Sequence, residues 1–541
     1  MPYRLAITIA GAVSLGSFEA GVLYEVLDAL GQHNQASPPD ARIYIDVLTG
    51  ASAGGMTAAI AAHRVLYLAG ELAQPYDNVF YNAWVASVDI KGLLPLQPSE
   101  SANQSVLSSN FVRSLAQRFL LGRYSETPAP PAISHPALNP AGLIRLGLAL
   151  SNLNGVDFER PLLSGGTFNY TEFADQVTFA LGKGSDTAQA WTPVMSAAVA
   201  CGAFPFAFRP GDVSRDRKDY DSPFLAPWPA SPRKFTYTDG GVFQNQPIGL
   251  AKNLVDFIDQ HQNSDTRSYL FVSPQAVDPK VSGITEATAN FRMMSGALLN
   301  AVYNQAGFRD WIEAESVNDA VQLLNRRASE LLALFRTGAM QELAIQSVTS
   351  LLLSQFQLGT EAIQSARSQL RTQFAAEYAD LSGSKGAALA DLWIDTVLLF
   401  ELAADLHEKD EMYIYSVTAE RKDLAGAGFS SFLGFLDRGF RDHDYDLGRQ
   451  KAQSFLETVN QVSGGKLPKL IYTPKPIRSI QPTPPDGFSP KMIPEQNRKE
   501  LANALSKAAD NMLAQDGVSW VIRRGIETFY LNGKIKELLE L

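Results

Sequence analysis

The sequence predicts an α/β protein with a mostly parallel central sheet, and three observations lead there. Strand and helix patterns alternate from residue 4 to about residue 69. Two more strand candidates, at 234–238 and 268–273, flank a further helix. A long tract of helical pattern then follows from Glu286 to Leu406. Alternating strand and helix patterns joined by short turns are the signature of a parallel sheet covered by helices.

The first strand is read at Arg4–Ala10, where Leu5, Ile7 and Ile9 alternate with Ala6 and Thr8. Gly11–Gly16 is a loop, and Ser17–Leu30 is a helix with Phe18, Val22, Val26 and Leu30 on one face. Gly31–Arg42 is read as a connector that contains His33. Strand two begins at Ile43 and runs into Gly50-Ala51-Ser52-Ala53-Gly54, a G-x-S-x-G turn, with a helix beyond it to about Ala69. A serine at the apex of such a turn is held in a strained backbone, and small neighbours let strand and helix close together. The geometry lifts the hydroxyl above the carboxyl ends of the strands, next to the first amides of the helix. An ordinary tight turn is the plain alternative.

The loop at 11–16 has the G-x-x-x-x-G spacing of a phosphate loop, but Ser17-Phe18 stands where lysine and serine or threonine belong. A dinucleotide fingerprint fails too, because Val13 occupies its second glycine position. What remains is a row of backbone N–H groups at a helix start, suited to an oxyanion.

Beyond the second helix, Pro75–Pro98 is irregular and Asn110–Leu121 is helical, and the proline-rich Ser125–Pro140 is an extended excursion. Gln176–Leu181 is a strand, Pro193–Gly202 a helix of small residues, and Gly211–Pro232 a surface loop. Lys234–Thr238 is a strand that delivers Asp239-Gly240-Gly241. Two glycines let that carboxylate approach a neighbouring elbow, although Asp-Gly turns are common in themselves. A helix at Pro247–Gln260 and a strand at Ser268–Ser273 continue the rhythm. Glu411–Thr418 is read as a returning strand covered on both faces, Lys466–Pro494 as an extended proline-rich segment, and Asn497–Leu541 as helices. The expected division is a catalytic core at 1–280, a helical subdomain at 281–410, a returning strand and core-packing segment at 411–465, and a tail at 466–541.

With 45% hydrophobic and 19% charged residues, the 541-residue chain reads as globular. Its formal charge of −10 argues against nucleic acid as the main partner and gives no general pull toward anionic membranes. A single cysteine, Cys201, excludes an internal disulfide. No metal-ligand spacing and no calcium loop stand out, so no metal or cofactor is expected. Met1–Gly16 could pass for a weak signal peptide, but it fits the following chain better as a strand and loop. No apolar run is long enough to span a bilayer. The chain is therefore expected in the cytoplasm or at a membrane periphery. Nothing in the sequence sets an oligomeric state.

The loop at 11–16, the G-x-S-x-G at 50–54 and the Asp-Gly-Gly at 239–241, in that order, resemble the patatin-like phospholipases. PVMSAAVACGAFPFAF at 193–208 resembles the helix and turn before that family's aspartate. FSSFLGFLDRGFRDHDYDLGR at 429–449 resembles a segment of its large bacterial members. The resemblance covers about 1–275 and 411–460. It implies a three-layer α/β/α core and a calcium-independent lipid acyl hydrolase of phospholipase A or lysophospholipase type. The family acts through a serine–aspartate dyad and an acyl-enzyme. Carried over, Ser52 is the nucleophile and Asp239 the base. Gly11, Ala12, Val13 and Gly16 form the oxyanion loop, Gly50, Ala53 and Gly54 the elbow, and Gly240 and Gly241 the turn after the base. A lipid or phospholipid is the implied substrate. The chain departs from the family where Ala12 and Val13 replace glycines and Leu15 replaces a basic residue.

Two other readings stand beside this one. An α/β-hydrolase with a Ser-Asp-His triad would draw on His261, which fits the chain order, but it expects several strands before the elbow. His63 lies about three turns beyond Ser52, and His443 is expected to be held by Asp442 and Asp444. The other reading is a catalytically silent lipid-binding protein on the same scaffold.

Overall fold

The computed structural model describes residues 2–259 apart from 103, 163–165, 206, 221 and 229–231, then 266–274, 360–403, 412–427, 431–461, 466–478 and 488–515, with short pieces elsewhere. The chain divides into two compact units. One comprises 1–251, 266–310 and 414–541, and the other 252–265 and 311–413.

Among the described residues the first unit is built on eight strands. They are β1 (Tyr3–Ile9), β2 (Ile43–Gly50), β3 (Leu143–Pro161), β4 (Thr167–Gly182), β5 (Gly211–Arg215), β6 (Arg233–Asp239), β7 (Arg267–Ser273) and β8 (Ile414–Thr418). Their order is β5-β6-β3-β2-β1-β7-β8, with β4 on β3. The pairs β3–β2, β2–β1, β1–β7 and β7–β8 are parallel, and those of β4, β5 and β6 are antiparallel. This is a mixed, mostly parallel α/β sheet covered by helices. Every residue of β2 and of β7 is buried, which explains their nearly continuous apolar runs. Helix α1 (Gly16–Ala36) follows β1, and α2 (Ser52–Tyr67) follows β2. The helix Arg438–Gln461 lies along α1, where Arg449 and Glu25 form a fully buried ion pair at 2.6 Å.

One strand decides where the site forms. β3 pairs with β4 along one edge and offers its other edge to β2 and β6 in succession. Gly50 at the end of β2 lies opposite Leu148, and Asp239 at the end of β6 lies opposite Leu150. β2 is parallel to β3 and β6 antiparallel, so the two run head to head along that edge. Their ends stop two residues apart, about 7 Å.

In the second unit the described residues form helices at Thr360–Gln373, Ala375–Lys385 and Ala387–Ala403. They pack around the buried Trp393 together with Phe335, Leu370, Leu381 and Ile394. Among the described residues of the chain, no helix is long and apolar enough to cross a membrane.

Several elements differ from the expectations. β3 was not anticipated, because Arg145, Asn152, Asn154, Asp157 and Glu159 interrupt its apolar pattern. β4 begins nine residues before Gln176. Its exposed Thr167, Phe168 and Asn169 belong to a two-stranded ribbon that no apolar alternation marks. Gly211–Arg215 is an edge strand rather than loop. α1 continues to Ala36, so His33 is on a helix and not in a connector; its Nε2 lies 3.0 Å from Ala41 O. β8 is an edge strand with Ser416 exposed, which corrects the expectation of cover on both faces. His261 and Glu411 lie outside the described residues.

Candidate active site

The chain leaves β2 at Gly50 and turns at Ser52, whose φ of 51° lies in the left-handed region seldom used by residues with a side chain. Such strain costs about 1–3 kcal/mol and survives only where the surroundings impose it. Here crowding imposes it, because α2 starts hard against β1. A Cβ on Gly54 would stand 2.3 Å from Ala10 O.

β6 brings Asp239 to the same place from the opposite direction. Its N–H donates to Ala203 O at 3.0 Å, and Ser151 Oγ donates to its carbonyl at 2.7 Å. The next residue passes so close to β3 that a Cβ on Gly240 would lie 2.1 Å from Ala149 O. Ser52 Oγ donates to Asp239 Oδ2 at 2.6 Å, and the Gly241 N–H donates to Oδ1 at 2.7 Å. Asp239 is wholly buried, and Ser52 is 5% exposed. Burial pushes the Asp239 carboxyl up to about 7, although the hydrogen bonds from Ser52 and Gly241 pull the other way.

The loop after β1 passes directly beside this pair. A Cβ on Gly11 would meet Ser52 Cβ at 3.0 Å. Gly11 itself is tied down, since its N–H donates to Asn245 O at 2.9 Å and its carbonyl accepts Asn245 Nδ2 at 3.3 Å. The N–H groups of Ala12 and Val13 have no hydrogen-bond partner among the described residues. Val13 also has a positive φ, 52°. α2 starts at Ser52, so the first amides after the serine, beginning with Ala53, lack intrahelical acceptors. Gly16 opens α1 against the face of Trp84. Leu15, in the family's basic position, is fully buried in the core.

Ser52 and Val13 share a cavity of about 840 Å³, its open mouth included. Its wall is formed by Trp84, Leu93, Phe119, Phe204, Phe208, Phe435 and smaller apolar residues. Among the described residues Ser52 supplies the only hydroxyl in that lining, and none of them brings a charged side chain to it. Cys201 lies beneath the elbow, its thiol 3.9 Å from Ser52 O, and burial holds that thiol well above its usual pKa.

None of the described histidines joins the pair. His63 is enclosed by Tyr67, Tyr124 and Trp191 and contacts Arg64, and burial pushes it down to about 2, leaving the ring neutral. His443 was expected between Asp442 and Asp444. Adjacent helix residues do not face one another, and the ring instead contacts Asp423 O at 2.9 Å and packs on Phe488. Asp442 bonds Tyr81 and Arg478, and Asp444 bonds the amides of Ala425 and Gly426. Among the described residues no group of three or more His, Cys, Asp or Glu is arranged to hold a metal ion.

The sequence-predicted Ser52, Asp239 and glycine loop are thus brought together. Asn245, Ser151 and the cavity wall were not foreseen. Asn245 lies in the polar run Gln244-Asn245-Gln246 just after the Asp-Gly-Gly turn, a signal readable only once the turn is placed. A serine hydroxyl bonded to a buried carboxylate of raised pKa has the chemistry to pair a nucleophile with a base. Unpaired amides alongside can hold an oxyanion.

The patatin-like phospholipase family matches residues 7–252, a span that contains the elbow, the glycine loop and the Asp-Gly-Gly turn. The chain is also similar to an uncharacterized protein, y4iI, of Sinorhizobium fredii (strain NBRC 101917 / NGR234). The two are 24% identical over 391 residues, 57% of this chain and 54% of that protein, so the chain spans about half the length of this relative.

Proposed function

Residues 7–252 are a patatin-like phospholipase domain, and from that premise we propose that the protein is a lipid acyl hydrolase working through Ser52 and Asp239. The observation that carries the reading is the 2.6 Å hydrogen bond from the Ser52 hydroxyl to a fully buried carboxylate whose pKa is raised to about 7. Ser52 Oγ attacks the ester carbonyl carbon while Asp239 takes its proton. The carbonyl electron pair moves onto oxygen, and the free N–H groups of Ala12 and Val13 receive that oxyanion. Collapse of the tetrahedral intermediate breaks the bond to the alcohol, which leaves with the proton held by Asp239. Asp239 then removes a proton from water as it attacks the acyl-enzyme, and on collapse of the second tetrahedral intermediate it returns that proton to Ser52 Oγ as the bond to the fatty acid breaks. A carboxylate at its ordinary pKa of roughly 4 would be a poor base for this cycle. Burial in an apolar wall brings it near the working pH.

The cavity supports a long apolar acyl group as the part of the substrate that is gripped. Among the described residues its lining holds no cation for a phosphate, and Leu15 contributes none. A lipid-release assay on phospholipid, lysophospholipid and acylglycerol, comparing wild type with Ser52→Ala, tests the function. Fatty acid released by wild type and not by a well-folded Ser52→Ala supports it. Equal release by both rejects it.

A further inference from the structure

The loop that carries the free amides does not hold its own shape. Val13 is β-branched with φ of 52°, a conformation such a residue adopts only under external constraint. The constraint comes from the far end of the sequence. Ser14, next to Val13, is fully buried, and its hydroxyl makes two hydrogen bonds to one short segment. It donates to the carbonyl of Ser431 and accepts the N–H of Gly434 at 3.1 Å. Gly434 has to be glycine for this contact, because a Cβ there would lie 2.6 Å from Ser14 Oγ.

That segment is itself braced. The carboxylate of Asp444, wholly buried on helix Arg438–Gln461, accepts the N–H groups of Ala425 at 2.7 Å and Gly426 at 2.8 Å. A Cβ on Gly426 would meet Leu15 at 3.0 Å and Ser14 Oγ at 3.2 Å, so this turn is pressed against the loop. Arg441 on the same helix donates to the carbonyls of Gly434 at 2.9 Å, Phe435 at 3.3 Å and Val85 at 3.1 Å. Phe435 and the neighbours of Val85, Ala83 and Trp84, line the cavity at Ser52. One helix thus holds the back of the loop and part of the cavity wall.

We propose that Ser14 is a positioning residue for the reaction: through Ser431 and Gly434, on a platform fixed by Asp444 and Arg441, it holds Val13 in the strained conformation that aims the free amides at Ser52. The proposal rests on the hydrolase reading above. It also gives residues 425–427 and 431–449 a task in the chemistry in addition to their packing. Oxyanion donors act only when they sit in place before the charge develops. Loss of the Ser14 hydroxyl lets the loop relax, and the penalty falls on the transition state rather than on the bound ester.

The test uses the full chain with Ser14→Ala and Ser14→Cys, the second nearly isosteric with a weak donor. Each is assayed on p-nitrophenyl butyrate and titrated with an alkyl trifluoromethyl ketone, which forms a tetrahedral adduct with Ser52. Ser14→Ala is expected to lower kcat by about 10- to 100-fold, with KM changed by less than about threefold. Affinity for the ketone falls by a similar factor, and Ser14→Cys lies between the two. Should Ser14→Ala fail to fold, Ser14→Cys alone decides by the same split between kcat and KM. Variants with a lower Tm but unaltered kcat and ketone affinity would make Ser14 purely structural and overturn the proposal, as would a loss confined to KM. A wild type that neither turns over the ester nor binds the ketone rejects the hydrolase reading itself, and the proposal with it.

Discussion

Ser52 and Asp239, 187 residues apart in sequence, meet because β2 and β6 end against the same edge of β3, at Leu148 and Leu150. The arrangement leaves each residue one task. The strained φ of Ser52 raises its hydroxyl, and the fixed main chain of Asp239 aims its carboxylate. The second carboxylate oxygen is held by the Gly241 N–H, so the oxygen facing Ser52 has one orientation.

The first prediction concerns pH. In the proposed mechanism Asp239 must be ionised to accept the serine proton, and burial raises its pKa to about 7. kcat/KM for a neutral ester should therefore rise with pH through a single limb near 7 and level off above it. Measured rates that stay flat from pH 5 to 9 in folded protein would assign the proton to another group.

Buried carboxylates also set stability. Glu19 in α1 is fully buried, neither oxygen has a hydrogen-bond partner among the described residues, and burial holds its pKa well above 4.5. Its folded pKa is raised, so its contribution to stability is complete below about 4.5, the unfolded value, and is lost as pH rises through the folded pKa. Glu19→Met removes the ionisation while keeping the volume. The variant should gain Tm at pH 8, by about 2 °C or more, and gain less at pH 5. Equal shifts at the two pH values, followed by calorimetry, would show that Glu19 does not ionise in this range.

How far the sequence could be read follows from how local each feature is. The elbow was legible because strand alternation, small residues and a helical stripe all fall between Ile43 and Tyr67. Asp239 was legible as a carboxylate at a strand end, but its partner edge was not. β3 is apolar over Leu143–Leu150 apart from Arg145 and Gly147, but it carries Asn152 and Asn154 at a bulge and charged residues along its outer half, so its apolar pattern breaks off where it meets β6. The support of the loop was hidden for another reason. Ser14 and Gly434 look like ordinary small residues, and only the fold brings them together across 420 positions.

The cavity makes a prediction about chain length. Ala116 lines it, and a tryptophan there would fill space assigned to the acyl chain in the proposed function. Each buried methylene is worth about 0.8 kcal/mol, so blocking a few of them matters. Ala116→Trp should reduce kcat/KM for p-nitrophenyl laurate at least about tenfold relative to p-nitrophenyl butyrate. An unchanged ratio of the two substrates would place the acyl chain elsewhere.

The last prediction separates a dyad from a triad. Asp239→Asn keeps the size and can still accept the Gly241 N–H, but an amide cannot take the serine proton. Hydrolysis should fall by about 10²–10⁴-fold, the usual worth of a general base. His443→Ala should keep kcat within about threefold after correction for folded fraction, since its ring contacts Asp423 O and Phe488 and no part of the site. His261→Ala is measured alongside, because its chain position fits a triad. In a Ser-Asp-His triad the imidazole carries the proton, and its loss costs as much as loss of the serine. A collapse of kcat in well-folded His261→Ala, with Asp239→Asn only mildly affected, would transfer the base to the histidine. The 2.6 Å contact between Ser52 and Asp239 leads us to expect the opposite, because no ring stands between hydroxyl and carboxylate.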